Sequence, residues 1–213
     1  MHLYKQYPEA VVIIFPSDHF ILEENLFLGH VDLACRVVER DPSRMVLLGL
    51  EPDGPEPEYG YILPDPAEDA QQLSVVRKVM RFIEKPEPQA VQDLICKGGL
   101  WNTMVMAFQA RALLSLISKI LPGMYRAFQR IREVIGFPME RKVVHEAYQD
   151  LDPVNFSKGI LQVVSSRYPS RLSVLPVRGV LWSDWGSEKR ILNALEKNDL
   201  ITRFHQTYGP CVQ

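Results

Sequence analysis

Residues 10–19 read Ala-Val-Val-Ile-Ile-Phe-Pro-Ser-Asp-His. An unbroken apolar run with β-branched Val11, Val12, Ile13 and Ile14 predicts a strand buried on both faces of a parallel sheet. Pro16 stops the ladder, and the carboxylate of Asp18 follows at once. In open α/β sheets, ligands bind in the crevice beyond the carboxyl ends of the strands. Residues 179–186, Gly-Val-Leu-Trp-Ser-Asp-Trp-Gly, repeat the arrangement downstream, again an apolar run broken by Ser-Asp. If the two runs are neighbouring strands, Asp18 and Asp184 project into one crevice. Two carboxylates with open positions suit Mg²⁺ on a phosphorylated substrate. Each Asp alone reads as a loop or helix cap; the repetition favours a shared site.

The rest of the chain sets bounds on that reading. Its 213 residues fit one large domain or two small ones, and 46% hydrophobic with 23% charged residues is ordinary for a soluble globular protein. A net charge of -2 gives no electrostatic case for nucleic acid or an anionic membrane. No apolar stretch is long enough for a bilayer, and the N-terminus has no signal-peptide pattern. Cys35, Cys96 and Cys211 are odd in number and widely spaced, which argues against a disulfide or zinc framework. A cytoplasmic protein is the expectation.

Around the first run, residues 23–40 carry Leu26, His30, Leu33, Ala34, Val37 and Val38 at helical spacing, and residues 45–50 form a second buried strand. This is a β–α–β unit joining parallel strands. Residues 51–58, rich in Pro and acids, predict a surface loop. Residues 59–63 and 75–84 predict strands, and 88–97 a helix closed by Gly98-Gly99. A strand over 103–109 precedes helices over 110–121, 123–135, 139–151 and 156–167. Strands over 171–177 and 180–182 lead to a last helix, 188–196, capped by Ser187 with Ile191, Leu192 and Leu195 inward. Without repeats or a linker, residues 1–213 read as one α/β domain.

Further short stretches carry polar chemistry. Glu84-Lys85-Pro86 ends a strand with a carboxylate able to accept from hydroxyls and a Lys able to neutralise phosphate; a solvated ion pair is the plain alternative. Tyr59-Gly60-Tyr61 places Gly where backbone can approach a ligand, or where the chain simply bends. Trp101-Asn102 offers a donor and an acceptor to a polyol, or a turn. Asn155 reads as a helix cap. His19 is a metal ligand beside Asp18 or a hydrogen-bonding partner of the backbone. No Ser sits in a nucleophile elbow.

Read in order, Phe15-Pro-Ser-Asp-His-Phe-Ile21, Glu58-Tyr-Gly-Tyr-Ile62, Phe82-Ile-Glu-Lys-Pro86, Leu100-Trp-Asn102 and Trp182-Ser-Asp-Trp-Gly186 resemble the sugar-phosphate nucleotidyltransferases, most closely the mannose-1-phosphate guanylyltransferases. The resemblance implies a Rossmann-like, GT-A-like three-layer α/β fold with a mixed central sheet. It implies Asp18 and Asp184 as Mg²⁺-binding carboxylates and Lys85 as the contact to the sugar phosphate, these three forming the catalytic set. Glu84, Asn102, the Gly60 N–H and the neighbouring Tyr61 would bind the sugar. The implied substrates are a sugar 1-phosphate, with mannose 1-phosphate favoured, and a nucleoside triphosphate, with GTP favoured. The implied products are a nucleotide sugar and pyrophosphate.

The sequence departs from the family pattern in several places. No Gly-rich G-x-G-x-R-L loop is present to cradle a triphosphate, so an N-terminally truncated domain is expected. Met104 stands where Gly is usual and Asn155 where Asp is usual, and a domain without the family's β-helix or isomerase-like extension is expected. A sheet without its first strand would expose an edge that invites a homo-oligomer. A second expectation is therefore a catalytically inactive binding or regulatory remnant that holds sugar phosphate or pairs with a full-length partner. A phosphohydrolase using Asp18, His19 and Asp184 ranks third, for want of a nucleophile.

Overall fold

The computed structural model describes residues 1–66 and 75–196. In chain order its strands are β1 (Val11–Ile14), β2 (Phe20–Ile21), β3 (Met45–Leu50), β4 (Gly60–Pro64), β5 (Arg77–Glu84), β6 (Leu100–Gln109), β7 (Leu172–Val177) and β8 (Trp182–Ser183). Six of them form one mixed sheet in the order β1-β6-β3-β7-β5-β4, with β4 also pairing β6. Among the described residues only β3 and β7 pair in parallel; β6 is antiparallel to β1, β3 and β4, and β5 is antiparallel to β4 and β7. β2 and β8 make a separate antiparallel ribbon.

The first run corrects one expectation. β1 is an edge strand, antiparallel to β6, and Ile14 is 39% exposed. The apolar run still has cover on both faces: Val11 and Ile13 pack on one cluster and Val12 on the other. Absence of alternation therefore encoded two-sided contact, not parallel pairing. The expected β–α–β unit is present in direction, since β1 and β3 both oppose β6, but β6 lies between them.

Helices cover both sheet faces. On one face lies α2 (Glu24–Arg40), following the short α1 (His2–Gln6). α2 buries Phe27, Val31, Ala34 and Val38, an i, i+4, i+7, i+11 stripe. Leu26 and Leu33, expected inside, are 47% and 40% exposed. Apolar residues surround this helix, and only contact with the sheet selects a face. Val91 and Leu94 of α3 (Pro88–Cys96) join the same cluster with Val46, Leu48 and Leu50 of β3.

The opposite face carries α4 (Ala110–Ile120), α5 (Pro122–Val134), α6 (Glu140–Gln149), a π-helical turn (Ser157–Leu161) and α7 (Gln162–Arg167). Here Met45 and Leu47 of β3 meet Leu116, Ile117, Leu161 and Val164. Alternation along β3 thus feeds two cores, and the fold is three-layered. The helix predicted over 156–167 is interrupted by the π-helical turn. The last helix, α8 (Glu188–Glu196), leaves Leu192 exposed instead of inward. Cys211 and part of the connection after β4 lie outside the described residues.

Candidate functional site

Gly60 opens β4 opposite Glu84, which closes β5, and Tyr61 pairs with Trp101 of β6. This register brings Gly60, Glu84 and Asn102 to one corner of the sheet. A Cβ added at Gly60 would lie 2.8 Å from Glu84 Oε2, 3.2 Å from Phe82 Cζ and 3.5 Å from Asn102 Cβ. Any side chain there must push the Glu84 carboxylate aside and crowd Phe82, and the Gly60 backbone sits against that carboxylate. Tyr61 points the other way. It is fully buried, and its hydroxyl accepts from Trp101 Nε1 (2.9 Å) and the Glu56 N–H (3.2 Å). Tyr61 thus supports the core from the side of β4 opposite Gly60, since adjacent strand residues face opposite sides.

Asn102 is buried, and its amide is engaged by its own strand. Oδ1 accepts from the Met104 N–H (3.2 Å), while Nδ2 donates to Met104 Sδ (2.9 Å). Met104 has φ +58, in the left-handed region that favours glycine, where β6 bulges against β3 between Leu47 and Gly49. Asn155 accepts from the Lys158 N–H through Oδ1 (2.9 Å), so it caps the π-helical turn as its sequence setting suggested.

Lys85 follows β5 with φ +48 and donates through Nζ to Glu58 Oε2 at 2.9 Å. This hydrogen bond lowers the Glu58 pKa and raises that of Lys85. The β2–β8 ribbon brings the two Ser-Asp stretches together: Phe20 pairs with Ser183, so His19 and Asp184 extend the two strands at the same end. The rings of Phe20 and Trp185 stack with centroids 5.1 Å apart. Asp18 is exposed, with Oδ1 4.0 Å from His19 Nε2. His19 Nδ1 accepts from Trp182 Nε1 at 3.2 Å, and burial lowers its pKa against the opposing pull of Asp18 and Asp184. His19 therefore orients Trp182, and its Nδ1 is occupied.

Asp184 is enclosed. Its Oδ1 accepts from the Tyr59 hydroxyl (3.1 Å) and the Gly186 N–H (3.0 Å), and Oδ2 lies 3.3 Å from Arg190 Nη1. Burial pushes the Tyr59 pKa up to about 12. Arg190 also lies over the Tyr59 ring, 4.8 Å from its centroid. Tyr59 thereby ties β4 to the loop after β8, and so ties the Gly60 corner to Asp184. Beside it opens a cavity of about 570 Å³ lined by Glu56, Glu58, Tyr59, Trp182, Ser183 and Arg190, among others.

Glu58 and Arg190 were not found by sequence reasoning as partners of the site. Glu58 opens the Glu58–Ile62 stretch, but nothing local in the chain marks it as the partner of Lys85. Arg190 had a signal: the Ser187 Oγ accepts from the Arg190 N–H at 3.4 Å, so Arg190 is the third residue of α8, and side chains there point back over the preceding loop. Asp18 and Asp184 thus flank one His from paired strands, while Gly60, Glu84, Asn102 and Lys85 gather at the ends of β4, β5 and β6. Among the described residues, no group of three or more His, Cys, Asp or Glu is arranged to hold a metal ion.

The fold is a mixed sheet between helical layers with acidic loops at one end. The chain is a member of the nucleotidyl transferase family, whose model matches residues 1–199. It is 30% identical over 209 residues to the alginate biosynthesis protein AlgA of Pseudomonas syringae, covering 95% of this chain and 41% of that protein. To mannose-1-phosphate guanylyltransferase of Escherichia coli it is 27% identical over 128 residues, 60% of this chain and 26% of that one. The chain therefore spans about two-fifths or less of the length of these relatives. A structure described as mannose-1-phosphate geranyltransferase from Thermus thermophilus superposes with a TM-score of 0.75 at 23% identity, covering 91% of this chain and 52% of that one. UDP-glucose pyrophosphorylase complexed with UDP-glucose gives 0.53 at 11% identity, covering 94% and 60%. Both likenesses support the expected mixed α/β fold. Among the described residues, no helix is long and apolar enough to cross a membrane.

Proposed function

We propose that this chain carries the sugar-phosphate side of a nucleotidyltransferase centre, with mannose 1-phosphate as the favoured sugar and GTP as the favoured nucleotide. The observation that supports this most is the Gly60 corner, where a backbone without a side chain meets the Glu84 carboxylate and Asn102, beside Lys85. In this reading Glu84 accepts from sugar hydroxyls, the Gly60 N–H and Asn102 fix the ring, and Lys85 meets the phosphate. Asn102 would exchange its Met104 contacts for the sugar.

The chemistry is an in-line displacement. An oxygen of the sugar 1-phosphate bonds to the α-phosphorus of the triphosphate, and the bond to the β-phosphate oxygen breaks, releasing pyrophosphate. Two polyanions must be brought together, so positioning and positive charge carry the catalysis, with no side-chain nucleophile. Mg²⁺ would supply charge neutralisation at the phosphates. The donors fit it in kind: Mg²⁺ needs one or two carboxylates and keeps water and phosphate as its other ligands. Asp18 is exposed and Asp184 would yield its Oδ2 from Arg190. Pyrophosphate release measured with Mg²⁺, mannose 1-phosphate and each triphosphate tests the reading; turnover supports it, and no turnover with any pair refutes catalysis by this chain.

A second reading is favoured by one observation. Lys85 and Asp184 already hold charged partners within the chain, Glu58 and Arg190. A protein that binds sugar phosphate without transferring a nucleotide would keep such pairs. Calorimetry separates the two: sugar-phosphate binding without Mg²⁺-dependent triphosphate binding supports the binding role.

A further inference from the structure

Lys85 is the cation of the Gly60 corner, and it does not stand open. Its Nζ is bound by Glu58, 27 positions earlier in sequence, across the ends of β4 and β5. Glu58 lies two residues before Gly60, and Lys85 directly follows Glu84, the register partner of Gly60. The ion pair therefore joins the two segments that enter and leave the corner to which the proposed function assigns the sugar. The left-handed backbone of Lys85 fixes the direction in which its side chain leaves the strand. Arg190 also attracts Glu58 and repels Lys85 electrostatically, both effects smaller than those between Glu58 and Lys85 themselves.

A phosphate arriving at Lys85 meets a carboxylate on the same ammonium. Resting on the function proposed above, we infer that Glu58 is a specificity-determining residue: it competes with the ligand's phosphate for Lys85. It thereby sets how strongly the site prefers a phosphorylated sugar over the neutral sugar. Both members of the pair are more than half exposed, at 53% and 59% of their side chains. Exposed ion pairs are weak and screened by salt, so Glu58 attenuates phosphate binding without blocking it. A phosphate monoester near pH 7 carries more charge than a carboxylate and offers three acceptor oxygens, so it can displace Glu58. The neutral sugar makes no demand on Lys85, and its affinity is independent of Glu58.

The test is calorimetric titration of the full chain and of Glu58→Gln with mannose 1-phosphate, inorganic phosphate and mannose, at low and at raised salt. Glu58→Gln is expected to bind mannose 1-phosphate and inorganic phosphate roughly threefold to tenfold more tightly, with mannose unchanged and the gain shrinking as salt rises. In a Lys85→Gln background the same substitution is expected to give no gain. Equal affinity of both proteins for mannose 1-phosphate overturns the inference while leaving the proposed site intact. A gain that persists without Lys85 also overturns it, because Glu58 would then act through the general field. No binding of mannose 1-phosphate by either protein overturns the site and the inference together. Matching unfolding curves establish that the variants are folded.

Discussion

At the scale of single residues, the site depends on where a side chain is missing and where charges are already matched. Gly60 is buried, and its absent Cβ leaves the space that Glu84 fills. Gly60→Ala is expected to cost about 1–3 kcal/mol of stability by overpacking, read from denaturant midpoints. It should also weaken mannose 1-phosphate binding by roughly tenfold or more by pushing the Glu84 carboxylate aside, a drop of about 1.4 kcal/mol. Arg190 lies against Asp184 at 3.3 Å and repels any cation there. Arg190→Gln is expected to raise the affinity for Mn²⁺, a spectroscopic stand-in for Mg²⁺, severalfold; unchanged affinity in a relaxation titration would remove Asp184 from the ligand set. These two residues mark the limit of what the chain discloses. The residue types of Asp18, Gly60, Glu84, Lys85, Asn102 and Asp184 were legible because each closes or opens an apolar run. Their counter-ions were not, because an ion pair between residues 58 and 85 leaves no local pattern.

At the scale of elements, strands and helices followed the apolar runs, whereas faces and neighbours did not. The insertion of β6 between β1 and β3 joins residues about 50 to 100 positions apart, and no local periodicity reports it. The bulge in β6 was signalled only by the oddity of Met104. With φ +58 there, a β-branched residue pays more than an unbranched one. Met104→Val is expected to be less stable than Met104→Leu by about 1 kcal/mol in urea unfolding; equal stability would show that the backbone relaxes out of the left-handed region.

The turn between α2 and β3 gives a pH prediction. The Asp41 carboxylate accepts from the Ser43 hydroxyl (2.6 Å) and Arg44 Nε (3.0 Å), which holds its pKa below the usual value of 3.8. The native state thus binds fewer protons than the unfolded chain in that region. The contribution is present above the unfolded pKa and lost as pH falls through the folded one. Because Asp41 is 40% exposed, solvent reduces the effect. Asp41→Asn is expected to lower stability at pH 7 and to converge with the unsubstituted chain at acid pH, followed by chemical unfolding at both pH values.

At the scale of the whole molecule, a three-layer fold delivers loops from distant parts of the sequence to one end of a mixed sheet. The β2–β8 ribbon joins residues about 160 apart, and Tyr59 links that ribbon to the Gly60 corner through Asp184. The sheet supplies position, the helices supply burial, and the loops supply charge. The family's fold is thus retained in a chain matching about two-fifths of AlgA. The central claim is that Gly60, Glu84, Lys85 and Asn102 form one pocket for a sugar phosphate. Amide chemical-shift mapping by NMR during titration with mannose 1-phosphate tests it most directly. The account predicts saturable shifts centred on Gly60, Lys85 and Asn102 and extending to Asp184; shifts confined to the helical face around α4 and α5, or no saturable shifts, would contradict it.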